Sequence, residues 1–168
     1  MDLVERLAAT EEIKRLKATY WYAVDTKDWP LLESLFTDDV TIDVREDRAI
    51  AAGVEPDVRP LEDALAAGVE GVLKGLDVYM LAMKQVVGQW TTVHQGHAPV
   101  ITIDDDTSAH GIWPLFDIIS DGERTLRGYG HYHERYRKVG DRWLIASFRI
   151  TRLLVEGDYP RGDLPKSA

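Results

Sequence analysis

The second half of the sequence is the feature that most constrains the fold. From Trp90 onward the chain is rich in β-branched and aromatic residues, which are enriched in strands. This composition predicts four strands, at 90–103, 108–119, 125–138 and 142–155. The first is expected to break near Gly96. Short turn sequences, "DDDT", "SDGE" and "VGDR", separate the strands, so consecutive strands must run antiparallel.

The first half of the sequence carries helical periodicity instead. Apolar residues recur at helical spacing through a stretch free of Gly and Pro: Ile13, Leu16, Tyr20 and Val24. This predicts a first helix that ends near Asp25. Helices followed by a run of antiparallel strands are typical of an α+β fold, in which the sheet curls over the helices and buries one face.

Three further segments complete the first half. Pro30 suits the first turn of a short second helix, whose buried side is predicted to hold Leu31, Leu32, Leu35 and Phe36. The segment "VTIDV" follows and is predicted to be a strand. Residues 46–60 carry Gly, two prolines and mixed charge without a period, and are predicted to form a loop. Residues 61–87 contain good helix formers interrupted by glycines, which predicts a short helix and then a longer one.

Composition limits the partners. A chain of 168 residues that is 45% hydrophobic and 29% charged suits one domain spanning residues 1–168. A net charge of -9 argues against a nucleic-acid or anionic-membrane surface. The N-terminus lacks the long apolar core of a signal peptide and no later segment reaches membrane-spanning length, so we expect a cytoplasmic protein. Because the chain has no cysteine, disulfides, thiol nucleophiles and zinc–thiolate sites are excluded.

Three segments together resemble the NTF2-like superfamily, and within it the SnoaL-like branch: "ATYWYAVDTKDWPLLESLFTDDV", "TTVHQGHAPVITID" and "GHYHERYRKVGDRWLI". The chain looks most like the bile-acid dehydratases, with scytalone dehydratase and the hexachlorocyclohexane dehydrochlorinase as more distant relatives. The helix-to-acid stretch and the Arg-Trp strand are common to much of the superfamily and specify the fold, whereas "VHQGHAP" is the narrower signal.

The resemblance implies a cystatin-like cone. A strongly curved antiparallel sheet would wrap around the N-terminal helices and enclose a deep, mostly apolar pocket for a small hydrophobic substrate. Cones of this kind commonly associate through the outer face of the sheet, so we expect a homodimer or a homotrimer.

The same resemblance implies four site residues. In the dehydratase relatives the pocket holds a tyrosine on the first helix, an aspartate five residues later, a strand histidine and an arginine on the last strand. Matching flanks put these at Tyr20, Asp25, His94 and Arg152. The flank of Arg152 is the least distinctive because Arg149 lies nearby. Strand alternation puts the two arginines on opposite faces, with Arg152 on the face of the apolar neighbours.

These residue types suit an elimination reaction. If Asp25 accepts the Nδ1 proton of His94, Nε2 becomes a base that works near neutral pH. Tyr20, with a reference pKa of about 10, stays protonated and donates a hydrogen bond to a substrate oxygen, and Arg152 offsets developing negative charge. No metal, nucleotide or flavin is required. We therefore expect a cofactor-independent lyase, a dehydratase of a hydrophobic hydroxylated carbonyl compound that is steroid-like or polyketide-like.

Each of the four residues also has a structural alternative. Five residues along a regular helix correspond to roughly 140° of rotation, so Tyr20 and Asp25 converge only if the helix ends or bends near Asp25. Otherwise Asp25 caps the "DTKDW" segment and Tyr20 is a core aromatic. In the same structural alternative, His94 has no catalytic role and Arg152 pairs with an acid at the rim of the sheet.

The other histidines need separate interpretations. His131 and His133 form an H-x-H pair of the kind that binds zinc or iron, but such a site needs a third ligand from another strand. The resembling family uses no metal, so we expect these two residues on a polar outer face instead. His97 points away from the cavity in a regular strand, unless a bulge at Gly96 reverses it. His110 has no partner visible in the sequence.

Two other functions stay open on sequence grounds. A ketosteroid-isomerase-like isomerase or a polyketide cyclase also begins by removing a proton beside a carbonyl. A non-catalytic small-molecule-binding or assembly module can share the fold. Polar groups that converge inside a closed cavity would favour an enzyme over a binding module.

Overall fold

A long N-terminal helix, α1 (Leu3–Thr26), opens the computed structural model, which describes residues 1–160. Asp2 caps it through a reciprocal pair of hydrogen bonds with Glu5. The helix ends one residue after Asp25, where Lys27 adopts a left-handed conformation with φ 61°. This agrees with the predicted end. No helix within residues 1–160 is both long and apolar enough to cross a membrane.

Shorter helices and seven strands follow within residues 1–160. The helices are α2 (Trp29–Glu33), α3 (Arg45–Ala52), α4 (Leu61–Ala66) and α5 (Leu76–Gln85), with a 3₁₀ turn at Val87–Gln89. The strands are β1 (Phe36–Asp43), β2 (Val72–Lys74), β3 (Thr91–Gly96), β4 (Val100–Ile103), β5 (Ser108–Ser120), β6 (Thr125–Val139) and β7 (Arg142–Gly157). The predicted strands of the second half are confirmed, and the first is interrupted after Gly96.

The strands form a curved sheet in the order β2-β1-β7-β6-β5-β3, and β4 pairs beside β3 on β5. Neighbouring strands are antiparallel except β1 and β7, which run parallel. Helix α1 packs on the inner face, and its predicted apolar stripe is buried against the sheet. The predicted α+β fold, a curved antiparallel sheet over N-terminal helices, is therefore confirmed.

A bulge near the end of β7 determines which way its last residues face. Tyr129 of β6 pairs with Leu154 and Gly130 pairs with Arg152, so Leu153 is an extra residue. Gly130 is required here because a Cβ would overlap the carbonyl oxygen of Thr151. Arg152 precedes the extra residue and keeps the alternation of Phe148 and Ile150, so it faces inward as predicted, with its side chain 3% exposed.

Two predictions in the first half were wrong. The first seven residues of the predicted loop, 46–52, lie in helix α3, which covers Arg45–Ala52, because the Gly and prolines of that segment lie after the helix. Gly53 ends the helix in a left-handed conformation. Helix α2 is also shorter than predicted, and Phe36 begins β1 instead. The cause is tertiary, since the carbonyl of Leu35 accepts a hydrogen bond from the N–H of Ile145 in β7.

Candidate active site

A cavity of about 270 Å³ lies between the sheet and helices α1, α3 and α5. Its wall is predominantly apolar and includes Val24, Ile42, Met83, Trp90, Phe148 and Ile150. Tyr20, His94 and Arg152 also line it. Asp25 does not line the cavity and lies behind His94. Three of the four predicted site residues thus share one cavity, and the fourth contacts it through another side chain.

Asp25 and His94 are joined by two hydrogen bonds. The Nδ1 atom of His94 lies 2.7 Å from Oδ1 of Asp25, and the backbone N–H of His94 donates to Oδ2 at 2.8 Å. The hydroxyl of Thr92 donates to Oδ1 at 2.9 Å. Thr92 and His94 lie on the same face of β3, so the strand presents both side chains to the end of α1. The carboxylate of Asp25 holds the imidazole in both position and orientation.

The neighbouring lysine fixes the direction of these hydrogen bonds. The ammonium of Lys27 donates to the hydroxyl oxygen of Thr92 at 2.8 Å and has no acceptor capacity. The hydroxyl proton of Thr92 must therefore point to Asp25. Because the ionised carboxylate can only accept, the Nδ1 atom of His94 carries a proton, and in the neutral ring the lone pair is therefore on Nε2.

The ionisation of Asp25 follows from these contacts. Its carboxyl is partly buried, which alone would raise its pKa, but the hydrogen bonds from His94 and Thr92 outweigh that effect and the pKa of Asp25 is lowered. Asp25 is therefore a carboxylate at neutral pH, and the tautomer of His94 with a free Nε2 is the stable one.

Replacing Thr92 with valine is expected to weaken this arrangement. The pKa of Asp25 in the folded chain lies below its ordinary 3.8. The hydrogen bonds to its carboxylate therefore stabilise the fold fully above the unfolded pKa, and this contribution is lost as pH falls through the folded pKa. Thr92→Val removes one hydrogen bond to the carboxylate and raises the folded pKa. We expect a loss of about 1.5 kcal/mol at pH 7 that shrinks as pH falls through the folded pKa of Asp25. Urea unfolding across this pH range measures it.

Thr91→Val is the matched control, since Thr91 is the exposed neighbour on the same strand. We expect Thr91→Val to change the free energy of unfolding equally at all these pH values. A loss in Thr92→Val that does not depend on pH would contradict the hydrogen bond to an ionised Asp25.

Asp117 is a site residue that the sequence reasoning missed. It pairs directly across from His94 in the register of β3 and β5, so their side chains are neighbours on the inner face. Both η nitrogens of Arg152 donate to its carboxylate at 2.8 Å. The guanidinium reaches Asp117 across Gly128 of β6. A Cβ at this position would overlap both side chains, so the contact requires glycine there. The Nε–H of Arg152 donates to Asp47 at 2.7 Å.

The charge of Arg152 is already balanced. Burial alone would lower the pKa of Arg152, but the carboxylates of Asp47 and Asp117 outweigh it and raise that pKa, so the guanidinium stays charged. One cation faces two carboxylates, and Asp47 also accepts a hydrogen bond from the Tyr159 hydroxyl at 2.8 Å. The group has no net positive charge to offer a substrate. Arg152 does pair with acids, as in the structural alternative, but the pair lies on the cavity wall.

Three tyrosines line the cavity and are called the tyrosine cluster: Tyr20, Tyr79 and Tyr132. The hydroxyls of Tyr20 and Tyr79 are 3.5 Å apart, and the rings of Tyr20 and Tyr132 pack edge to face. Burial raises the pKa of all three phenols well above 10.0. They are therefore protonated, and each can donate a hydrogen bond to an oxygen of a bound molecule.

The remaining histidines lie away from this cavity. His133 is exposed and contacts the hydroxyl of Thr151 at 3.0 Å, and burial together with the charge of Arg149 lowers its pKa. Within residues 1–160, no group of three or more His, Cys, Asp or Glu side chains is placed to hold a metal ion. His97 is exposed beyond the end of β3. His110 pairs with Asp104 on the surface at 3.0 Å.

Known proteins share this architecture. The family model described as the SnoaL-like domain matches residues 5–149. A protein from Novosphingobium aromaticivorans DSM 12444, provisionally assigned as a scytalone dehydratase, superposes with a TM-score of 0.76 at 17% identity, over 98% of this chain and 97% of that one. Hexachlorocyclohexane dehydrochlorinase LinA-type3 from Novosphingobium barchaimii LL02 gives 0.71 at 16% identity, over 98% and 100%.

A third solved structure supports the fold class. A protein of unknown function with a cystatin-like fold, from Nostoc punctiforme PCC 73102, superposes with a TM-score of 0.58 at 14% identity, over 85% of this chain and 90% of that one. At these identities the structural likeness concerns the fold, and the chemistry must be argued from the side chains of this chain.

Proposed function

This chain belongs to the SnoaL-like domain family, and on that premise we propose that it is a lyase that removes water from a hydrophobic hydroxylated carbonyl compound. One observation carries the proposal. An imidazole with its Nδ1 held by an ionised aspartate lines an apolar cavity whose wall also includes the tyrosine cluster. A base beside neutral hydrogen-bond donors is what the removal of a proton next to a carbonyl requires.

The first step takes a proton from carbon. Nε2 of His94 accepts the proton from the carbon next to the carbonyl, and the electron pair of the C–H bond moves towards the carbonyl oxygen. The resulting imidazolium is stabilised by Asp25 on one side and by Asp117 across the strand pair. The tyrosine cluster donates hydrogen bonds to the oxygen that gains negative charge. In this scheme Asp25 is a positioning residue that acts through His94.

The second step expels the hydroxyl group. The electron pair returns from the oxygen to form the carbon–carbon double bond, and the bond between carbon and the leaving hydroxyl breaks. His94 returns its proton to the departing oxygen, which leaves as water, and the imidazole is neutral again. Arg152 takes no proton, and its role is to hold Asp117 beside His94.

The cavity also limits the substrate. Ligand cavities range from about 300 to 1,000 Å³, and the 270 Å³ here is close to the lower end. It supports a substrate whose buried part has one or two rings, with any larger remainder outside. Steroid-like and polyketide-like hydroxy-ketones both contain such a part.

Incubation with a panel of cyclic β-hydroxy-ketones tests the proposal. We expect ultraviolet absorbance of a conjugated enone to appear together with the loss of one water mass. A product of unchanged mass with a shifted double bond would indicate an isomerase instead. Binding of the whole panel without turnover would favour a non-catalytic binding module.

A further inference from the structure

A buried ion pair lies directly beneath the tyrosine cluster. Lys17 of α1 and Glu134 of β6 are both 0% exposed, with Nζ 2.5 Å from Oε1. The other oxygen of Glu134 accepts a hydrogen bond from the Tyr136 hydroxyl, which in turn accepts one from the indole N–H of Trp113 at 2.7 Å. Neither charged side chain lines the cavity. Because burying two charges is costly, the pair is a poor device for stability alone.

The ammonium is the end of the pair that meets the cavity wall. Nζ of Lys17 lies 3.3 Å from the centroid of the Tyr132 ring and 4.1 Å from that of Tyr20. These are distances at which a cation interacts with an aromatic face. The spacing builds this contact, since Lys17 and Tyr20 are three residues apart on the helix. Tyr132 and Glu134 are two apart on the same face of β6.

We propose that Lys17 is a positioning residue whose ammonium, held by Glu134 against the rings of Tyr20 and Tyr132, strengthens their hydroxyls as hydrogen-bond donors to a negatively charged oxygen in the cavity. A cation on the ring face draws electron density away from the phenol oxygen and makes the O–H group a stronger donor. The inference rests on the proposed function, because it assigns the tyrosines to the oxygen that gains charge.

The protonation of Lys17 gives the proposal a pH dependence. Burial, opposed by the charge of Glu134, lowers the pKa of Lys17 to about 8. The titratable groups facing it are Glu134, Tyr20 and Tyr132, and Tyr132 also senses the charges of Asp117 and Arg152. The tyrosines stay protonated over this range. As pH rises through about 8 the ammonium is lost, and the donor strength of the hydroxyls should fall with it.

The test measures equilibrium binding of 4-nitrophenolate, whose absorbance reports whether its oxygen is ionised. 4-Nitrotoluene is the comparison, since it has a similar shape and no ionisable oxygen. The variant is Lys17→Met/Glu134→Gln, which removes both charges and leaves neither partner buried alone. The control is Lys14→Met/Glu11→Gln, which removes an ion pair on the exposed side of the same helix.

We expect the Lys17→Met/Glu134→Gln variant to bind 4-nitrophenolate about tenfold more weakly, with 4-nitrotoluene binding unchanged and the control variant like wild type. In the wild type the preference for the phenolate should decline through about pH 8, and in the variant it should not. Equal losses for both ligands would reduce Lys17 to a packing role and overturn the proposal. Unchanged phenolate binding, or none in the wild type, would also overturn it.

This readout is separate from turnover. A chain that dehydrates no hydroxy-ketone can still bind the phenolate through the tyrosines, and a working dehydratase can still bind it independently of Lys17. Failure of the proposed function and failure of this inference therefore give different results.

Discussion

Replacing His94 with glutamine is expected to lower kcat/KM for the proposed dehydration by a factor of about 10²–10⁴, the usual contribution of a general base. Glutamine has a similar length and can still donate to Asp25, but its amide has no basic nitrogen. The fold should be kept, because His94 is only one member of a strand whose pairing with β5 is made by backbone atoms. Enone formation under saturating and subsaturating substrate, with circular dichroism as the check on folding, measures the effect.

His110→Gln is the matched control for that variant. His110 also pairs with an aspartate through Nδ1, at 3.0 Å from Asp104, but on the surface. The His110→Gln variant should retain the activity of the wild type.

Asp25→Asn should lose nearly as much activity as His94→Gln. The asparagine amide can donate to Nδ1 of His94 and thereby favour the tautomer with the proton on Nε2. Full turnover by both site variants would show that the base lies elsewhere.

Local patterns predicted the elements that are stabilised by their own sequence. Helix α1 and strands β5 to β7 have clear periodicity and turn signals; the helix ends where predicted, and the bounds of the three strands differ little from those predicted. Strand β2 has three residues and exists only through its pairing with β1, so it carries no local signal. Helix α3 was not predicted because it has only eight residues and is followed directly by Gly53 and then by two prolines, which are typical of a loop.

The site was only partly accessible to sequence reasoning. The four predicted residues came from a family resemblance, and the 69-residue separation of Asp25 and His94 gives no local sign of their contact. Asp117 could have been noticed, because it alternates with Trp113 and Leu115 on the buried face of β5. A charged residue on an apolar face points to a buried partner. The identity of that partner, Arg152, depends on strand register and on the bulge in β7.

The same signal marks the ion pair beneath the tyrosines. Lys17 lies on the apolar stripe of α1, and Glu134 lies between Tyr132 and Tyr136 on the inner face of β6. Sequence shows each charge on a buried face but not that they meet. The contact requires α1 to cross the inner face of the sheet, which is a property of the assembled fold.

Replacing Arg152 with methionine is expected to destabilise the fold by about 3–5 kcal/mol, the usual cost of leaving one partner of a buried pair uncompensated. The side chains of Arg152 and Asp117 are 3% and 2% exposed, so water cannot replace the guanidinium. Arg149→Met is the control on the same strand. Its side chain is 50% exposed and pairs with Glu46, and its loss should cost less than about 1 kcal/mol. Urea unfolding followed by tryptophan fluorescence measures both.

The double variant Arg152→Met/Asp117→Asn separates stability from the site. It should regain part of the stability lost in Arg152→Met, because only the carboxylate of Asp47, which is 15% exposed and still accepts a hydrogen bond from Tyr159, then lacks its guanidinium. It also removes the carboxylate that faces His94 across the strand pair, so the imidazolium formed in the first step loses one stabilising charge. We therefore expect the double variant to fold well and to dehydrate slowly. Full activity in that well-folded variant would confine Arg152 and Asp117 to holding the sheet together, and would leave Asp25 as the carboxylate that serves His94.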